Sequence, residues 1–304
     1  MRLISFCLFI LFLCVNAKAQ ISFKTEYMGS SAYMYSPNDI DASSSKVGNS
    51  SGSAVVYQGM ANLPLSMKQH ENGKMTVWGV GLGGAYASLN NKNFTDDMVS
   101  EIMNLQLGIF HMRPLNEKWS LMANVAVGSF TPFADLSKIR YTHVLGNVGA
   151  LFIRHLNPNL NIGGGLAINS TFGYPMVFPA LYLDWTYEGK FKANVSMMEG
   201  LELSAGYEFS DNFLLSFAAE MNGQMALLER DDKDVIFSHQ YLVTGLRPVI
   251  RLGKSGLSIP IMVGINAYRP AFYQNRSLKS LFATNNDYYF RVSPYASAGI
   301  RYGF

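Results

Sequence analysis

The sequence predicts an all-β chain closed into a transmembrane, antiparallel, up-and-down β-barrel of about 14 strands, with 12 as the alternative. Three observations predict it. The chain is 49% apolar, yet after residue 19 it has no apolar run near the roughly 20 residues that a spanning helix needs. Its apolar residues alternate with small and polar ones, which is how a barrel wall with one lipid face distributes its hydrophobicity. Charged residues make up only 15%, against roughly 25% in typical soluble domains.

The chain opens on a signal-peptide pattern at 1–19. Arg2 is a short basic region, Leu3 to Val15 is apolar, and Ala17-Lys18-Ala19 is a small-x-small cleavage site before Gln20. The apolar run is too short to span as a helix. Cys14 follows Leu11-Phe12-Leu13, and the bulky leucine before it excludes a lipoprotein anchor. Both cysteines, Cys7 and Cys14, lie inside this segment, so the expected mature barrel, 20–304, has no disulfide or thiolate chemistry. Loss of Arg2 and Lys18 leaves 22 of the 24 basic residues against 21 acidic ones. That balance argues against a nucleic-acid partner, whose footprint is a basic patch.

Expected strands cover 21–35, 53–68, 74–89, 98–112, 119–130, 141–155, 160–171, 177–187, 190–198, 201–209, 213–228, 238–252, 257–269 and 286–304. The alternation is clearest in four of them. Residues 98–112 set Val99, Met103, Leu105, Leu107 and Ile109 against Ser100, Asn104, Gln106 and Gly108. Residues 160–171 set Leu160, Ile162, Leu166 and Ile168 against Asn161, Gly163, Gly165 and Asn169. Residues 213–224 oppose Phe213, Leu215, Phe217 and Met221 to Ser216, Glu220, Asn222 and Gln224. Residues 257–267 oppose Leu257, Ile259, Ile261, Val263 and Ile265 to Ser258, Met262, Gly264 and Asn266. Period two sustained this long is a strand signal. The short strands of 177–209 are where the alternative of 12 arises.

Turn residues at Asn72-Gly73, Pro114-Leu115-Asn116, Asn157-Pro158-Asn159, Ser210-Asp211-Asn212 and 253–256 mark one end of the barrel. Longer polar segments at 36–52, 90–97, 131–140, 229–237 and 270–287 mark the other. Short turns at the periplasmic end and long loops outside is the bacterial outer-membrane arrangement. Trp78, Trp119 and Trp185 then fall near the short-turn interface, where amphipathic rings settle. A soluble sandwich would share these strands but would expose charges, whereas the less apolar face here is mostly Gly, Ala, Ser, Asn and Gln.

The last residues, Ser297, Gly299, Ile300, Tyr302 and Phe304, alternate and finish on an aromatic. They resemble the C-terminal signal that the barrel-assembly machinery reads on outer-membrane barrels. With the signal peptide, the aromatic- and glycine-rich strands and the cysteine-free mature chain, the whole resembles an uncharacterised family of Bacteroidota outer-membrane β-barrel proteins. That resemblance implies export to the bacterial outer membrane after signal cleavage, contact with its lipid, and recognition by the assembly machinery. It carries no catalytic residues to transfer.

If the apolar faces meet lipid, Lys24, Glu26, Glu202, Glu208, Glu220, Arg291 and Arg301 point into the lumen. Because first and last strands pair, Lys24, Glu26, Arg291 and Arg301 could form a ladder of opposite charges at the seam. A charged constriction that selects solutes is the sharper reading of the same residues. No catalytic, cofactor or metal set is expected. Gly79, Gly81 and Gly84 match G-x-G-x-x-G, but no helix follows to receive a pyrophosphate. His143, His239, Asp96, Asp97, Asp231, Asp232 and Asp234 lie near the outer rim without a protease motif. Three functions follow: a narrow passive channel for small solutes, a plugged barrel acting through its outer loops, and, ranked last, an outer-membrane hydrolase.

Overall fold

The computed structural model describes residues 19–37, 43–71, 73–94, 98–171, 173, 175–197, 200–277, 279–280 and 287–303. The expected signal peptide, apart from Ala19, lies outside the described residues, as do Asp96, Asp97 and Phe304. Strands run in chain order: β1 (Gln20–Ser36), β2 (Ser45–Gln69), β3 (Met75–Lys92), β4 (Glu101–Pro114), β5 (Trp119–Thr131), β6 (Val144–Asn157) and β7 (Leu160–Asn169). They continue as β8 (Met176–Tyr187), β9 (Phe191–Ser196), β10 (Leu201–Ser210), β11 (Phe213–Arg230), β12 (Lys233–Arg251), β13 (Leu257–Asn275), β14 (Asp287–Phe290) and β15 (Ser293–Tyr302).

All belong to one antiparallel sheet, in which β1 pairs with β15, β12 pairs with β13, and the ring closes. β14 and β15 pair with the same two strands, β1 and β13, and share one place in the ring. The wall therefore has fourteen positions, matching the predicted count, and the short strands β8, β9 and β10 all exist. Closure removes the unpaired edges that an open sheet would present to lipid.

The sheet is a transmembrane barrel by the chemistry of its faces. Outward positions are mostly apolar and exposed: Leu166, Leu181 and Val263 are 61%, 71% and 61% exposed. Trp78, Trp119 and Trp185 sit on this outer face within a few residues of the short turns. Trp78 stacks on His111 with ring centroids 4.0 Å apart, and the Arg154 guanidinium lies 5.8 Å from the Trp119 ring. Polar and small residues face inward, so the pattern of a soluble protein is inverted.

Two departures from the predicted strands matter for the interior. The segment 229–237 is not a long loop. β11 and β12 pair without interruption to Arg230↔Lys233, and Asp231 and Asp232 form a two-residue turn with φ of 52° and 57°. Two successive positive φ values make the tight hairpin turn whose twist suits paired strands. Likewise β13 continues to Asn275, well into the predicted loop 270–287, and β2 begins at Ser45, inside the predicted loop 36–52.

The second departure is a crease across β13, β14–β15 and β1. Met262 and Asn266 are buried on the inner face of β13, but the next buried inward residues are Arg269 and Ala271. Across the ladder, Ser293 and Tyr295 are buried, followed by Phe290. The pairs Asn266↔Ser293 and Arg269↔Phe290 bracket the shift on both strands. β1 carries its own irregularity between Met28 and Ser31. A shift of one residue exchanges the two faces of a strand, so above the crease inside and outside are reassigned together.

Candidate functional site

The interior holds a chain of charged side chains that crosses it. Glu26 on β1 is fully buried. It accepts hydrogen bonds from Gln58 Nε2 at 2.7 Å, Tyr241 Oη at 2.7 Å and Tyr295 Oη at 2.6 Å. Lys24 Nζ lies 2.9 Å from Glu26 Oε1 and 2.8 Å from Glu220 Oε2 on β11. Arg247 on β12 then donates Nη1 to Glu220 Oε1 at 3.0 Å and Nη2 to Glu202 Oε1 at 2.6 Å. Arg301 Nη2 stands 3.8 Å from the other Glu202 oxygen. Signs alternate along the whole chain, with three acids and three bases, so its net charge is zero. Nearer the short-turn end, Glu208 pairs with Lys192 at 2.9 Å and with Arg251.

Of the residues expected in the lumen, Lys24, Glu26, Glu202, Glu220 and Arg301 are thus joined, and Glu208 belongs to a second group. Arg291 is not in either. It lies in the break between β14 and β15, exposed beside Lys46, Tyr289 and Val292. The crease is the reason: alternation counted back from Ser293 and Tyr295 puts Arg291 inside, but Phe290 takes the inward place. Arg247, Lys192 and Arg251 make four of the seven pairs and were not singled out from sequence.

At the outer end the β11–β12 hairpin leans into the barrel. Ala218, Ala226, Phe237, Tyr241 and Val243 on its inner face pack with Val56, Ala87, Ile102 and Met262. Its other face is buried too, since Leu227 and Ile236 meet Phe130 of β5 and Leu145 of β6 from the opposite wall. Asn104 on β4 clamps the hairpin backbone, donating Nδ2 to Met225 O at 2.6 Å and accepting Met225 N–H at 3.2 Å. Just past β13, Arg276 donates to the carbonyls of Ser170, Thr171 and Thr142 at 2.9 to 3.1 Å. Those carbonyls lie at the opposite rim, so the mouth is strapped across.

A cleft of about 530 Å³ remains between the hairpin tip and the segment 132–143, lined by Phe133, Arg140, His143, Leu228 and Asp234. The His143 ring is buried, and its Nδ1 accepts the Arg140 N–H at 3.1 Å. Burial, then the nearby Arg140 charge, hold its pKa below the ordinary histidine value. Asp135 is lowered by the hydroxyl and backbone N–H of Ser137, which both donate to it.

The interior wall from β5 to β8, continued by uncharged positions of β9 and β10, is different in kind. Asn124, Asn147, Asn161, Asn169, Asn194 and Ser204 face inward and remain half-exposed. Close to the short turns a polar row runs over four strands. Ser120 Oγ and His155 Nε2 are 2.7 Å apart, His155 Nδ1 and Asn161 Oδ1 are 2.6 Å apart, and Asn161 Nδ2 donates to Asp184 Oδ2 at 3.2 Å. Ser120 and His155 have the separation of a nucleophile and its base. The backbone around Ser120 is committed to the β4–β5 and β5–β6 ladders, which leaves no preformed donors there for an oxyanion. Row and register place His155 inside the barrel.

His239 is 1% exposed and its Nδ1 is 3.3 Å from Gln224 Oε1, so it does not reach the outer rim. Asp231, Asp232 and Asp234 are exposed at the hairpin tip. Among the described residues no group of three His, Cys, Asp or Glu side chains is placed to hold a metal ion. Of the terminal residues, Ser297 faces Glu26 across the β1–β15 ladder, Gly299 pairs with Lys24, Tyr302 pairs with Ile21, and Ile300 is 51% exposed on the outer face.

Comparison with known proteins gives a family and a set of distant folds. The model of a family described as "Domain of unknown function (DUF6268)" matches residues 15–303. No curated protein sequence matches the chain. Among solved structures, it is similar to the translocator domain of the autotransporter NalP from Neisseria meningitidis, with 15% identity, 94% of this chain and 88% of that chain covered, and a TM-score of 0.36. It is also similar to the COG4313 outer membrane channel from Pseudomonas putida F1, at 8% identity, 93% and 94% coverage and a TM-score of 0.43. A third is the Pseudomonas putida toluene transporter TodX, at 9% identity, 95% and 90% coverage and a TM-score of 0.35.

Proposed function

This chain belongs to the family described as a domain of unknown function, DUF6268, and on that premise we propose that it is a narrow passive channel for small solutes in a bacterial outer membrane. One observation carries the reading. The inner wall of β5–β8 presents the half-exposed amides Asn124, Asn147, Asn161 and Asn169, while the paired charges gather on β1, β9, β10, β11, β12 and β15. A wall of asparagines and glycines binds solutes weakly, and a pathway needs sites that release what they take up. The charge chain is internally neutral, so it favours neither sign of ion.

Export through a cleaved signal peptide, a host among the Bacteroidota, contact with outer-membrane lipid and handling by the barrel-assembly machinery belong to the same proposal. So does a non-enzymatic role. The signal-like segment 1–19 supports export, and the wall of exposed leucine and valine and the terminal alternation support lipid contact and assembly.

The strapped hairpin favours a second reading, a plugged barrel that acts through its outer surface. Planar-bilayer conductance decides between the two, using protein shown to be folded by heat-modifiable gel migration. Discrete steps in the native protein, growing when residues 226–237 are replaced by an Asn-Gly turn, support a channel whose outer mouth the hairpin narrows. A folded barrel that stays silent in both forms would sink the channel and leave the plugged reading.

A further inference from the structure

The crease turns one arginine into the interior without giving it an acid. Arg269 is 1% exposed, donates Nη2 to Gly52 O at 2.6 Å, and lies with its guanidinium carbon 4.0 Å from the Phe290 ring centre. Neither partner carries charge. Glu26, the fully buried carboxylate of the interior, is already engaged by Lys24, Gln58, Tyr241 and Tyr295. Among the described residues no carboxylate pairs with Arg269. A buried cation without a counter-charge is expensive, and removing it from water costs several kcal/mol after relaxation.

The groups around it are short of partners as well. Asn266 is fully buried, and neither its Oδ1 nor its Nδ2 has a hydrogen bond. Ser293 Oγ and Arg269 Nε are likewise buried without one. Asn266 faces Ser293 directly across the β13–β15 ladder, and Arg269 takes the next inward place on β13 beyond the crease. Buried polar groups are nearly always satisfied, so orphans clustered on adjoining strands call for an occupant. Three of them are donors: Arg269 Nε–H, the Asn266 amide and the Ser293 hydroxyl.

We infer that this space holds a small monoatomic anion of the halide class as the counter-ion of Arg269. Three of these four orphaned atoms are donors and suit an acceptor-only species, the guanidinium supplies the charge, and Asn266 Oδ1 is the one acceptor that an anion does not satisfy. Arg269, Asn266 and Ser293 are 1%, 0% and 2% exposed, so whatever meets their orphaned atoms is enclosed, and a monoatomic ion is the smallest anion that can do so. A water would satisfy the hydrogen bonds but leave the charge uncompensated, which is why the anion is the better occupant. The site is independent of whether the lumen conducts.

The test is to fold the protein from urea in gluconate, then at constant ionic strength with increasing bromide, and to read the thermal midpoint by heat-modifiable migration. Crystals grown from bromide are measured for anomalous scattering. Midpoints that rise with bromide, and an anomalous peak within hydrogen-bonding distance of Arg269 Nε and Ser293 Oγ, are expected. Ser293→Ala removes one hydrogen bond to a charged ligand and should raise the half-maximal bromide concentration about tenfold or more. Arg269→Met should abolish the dependence, and Ser293→Ala keeps the test alive if that variant fails to fold. A flat bromide response, or peaks confined to the protein surface, would overturn the anion and leave enclosed water in its place.

Discussion

Lys24 on the first strand and Glu220 on the eleventh meet inside the barrel, Nζ to Oε2, at 2.8 Å, although 196 residues separate them. The contact ties the seam strand β1 to the hairpin-bearing strand β11 directly through the interior, in addition to the ladder that links them around the wall. Lys24 also holds Glu26, so one ammonium sits between two carboxylates.

Replacing Lys24 with Met should therefore leave two largely buried acids facing each other. Breaking a buried pair by removing one partner costs about 3 kcal/mol or more, much of it the stranded charge. The heat-modification midpoint should fall sharply, and the double variant Lys24→Met with Glu220→Gln should recover part of the loss. A midpoint equal to that of the unaltered protein would show that water already compensates these acids.

Gly245 and Gly264 face each other across β12 and β13. A Cβ on Gly245 would meet the carbonyl of Val263, and one on Gly264 would meet the carbonyl of Thr244. The conformation is ordinary at both, so the constraint is approach of backbone to backbone where the wall coils tightly. Gly245→Ala should destabilise the folded barrel by about 1–3 kcal/mol, the range for overpacking. Urea unfolding in detergent checks it, with Gly146→Ala as the neutral comparison, since a Cβ there meets nothing within 4 Å.

These interior contacts were only partly legible in the sequence. Alternation exposes which face of a strand is apolar, so the wall and the inward acids Glu26, Glu202 and Glu220 could be read locally. Partners could not be, because Lys24–Glu220 depends on how tightly the ring curves. Arg247 was within reach. Once Asp231-Asp232 is seen as a two-residue turn, the hairpin register is fixed, and Ser216 must face Arg247 on the inward side. Reading 229–237 as a loop hid that register, since nothing in Asp-Asp announces a turn that Asn-Gly or Asp-Gly would. Arg291 shows the opposite failure. Period two carried it inward, but the crease at 291–292 interrupts the period, and Pro270 and Pro294 beside it were its marks in the sequence.

His143 makes the outer rim sensitive to pH. Its Nδ1 accepts a backbone N–H, so the bonded ring is neutral. Its folded pKa lies below the unfolded value of 6.5. Above pH 6.5 both states are neutral and nothing changes. Below it the open segment binds a proton first, so local stability falls with pH until the lowered folded pKa is passed. Amide exchange across 132–143, corrected for intrinsic rate, should accelerate as pH drops from 6.5 toward 5. His143→Gln should flatten that dependence. Equal pH profiles in both proteins would remove His143 as the cause.

Asn104 gives the hairpin its most specific hold on the opposite wall. One side chain satisfies both the N–H and the carbonyl of Met225, at a point where β11 otherwise has no strand beside it on that face. Asn104→Ala leaves two backbone groups without partners, each hydrogen bond being worth about 1 kcal/mol net. A loss of about 2 kcal/mol would raise the population of the displaced hairpin by more than tenfold. Proteolysis at the exposed tip, 231–234, should quicken accordingly, and any channel current should show longer or larger openings. Asn124→Ala is the matched control, because Asn124 donates to Asn147 within the wall and, among the described residues, to no group of the hairpin. If Asn104→Ala and Asn124→Ala behave alike in both assays, apolar packing of Leu227 and Ile236 against Phe130 and Leu145 holds the hairpin, and the amide clamp only sets its register.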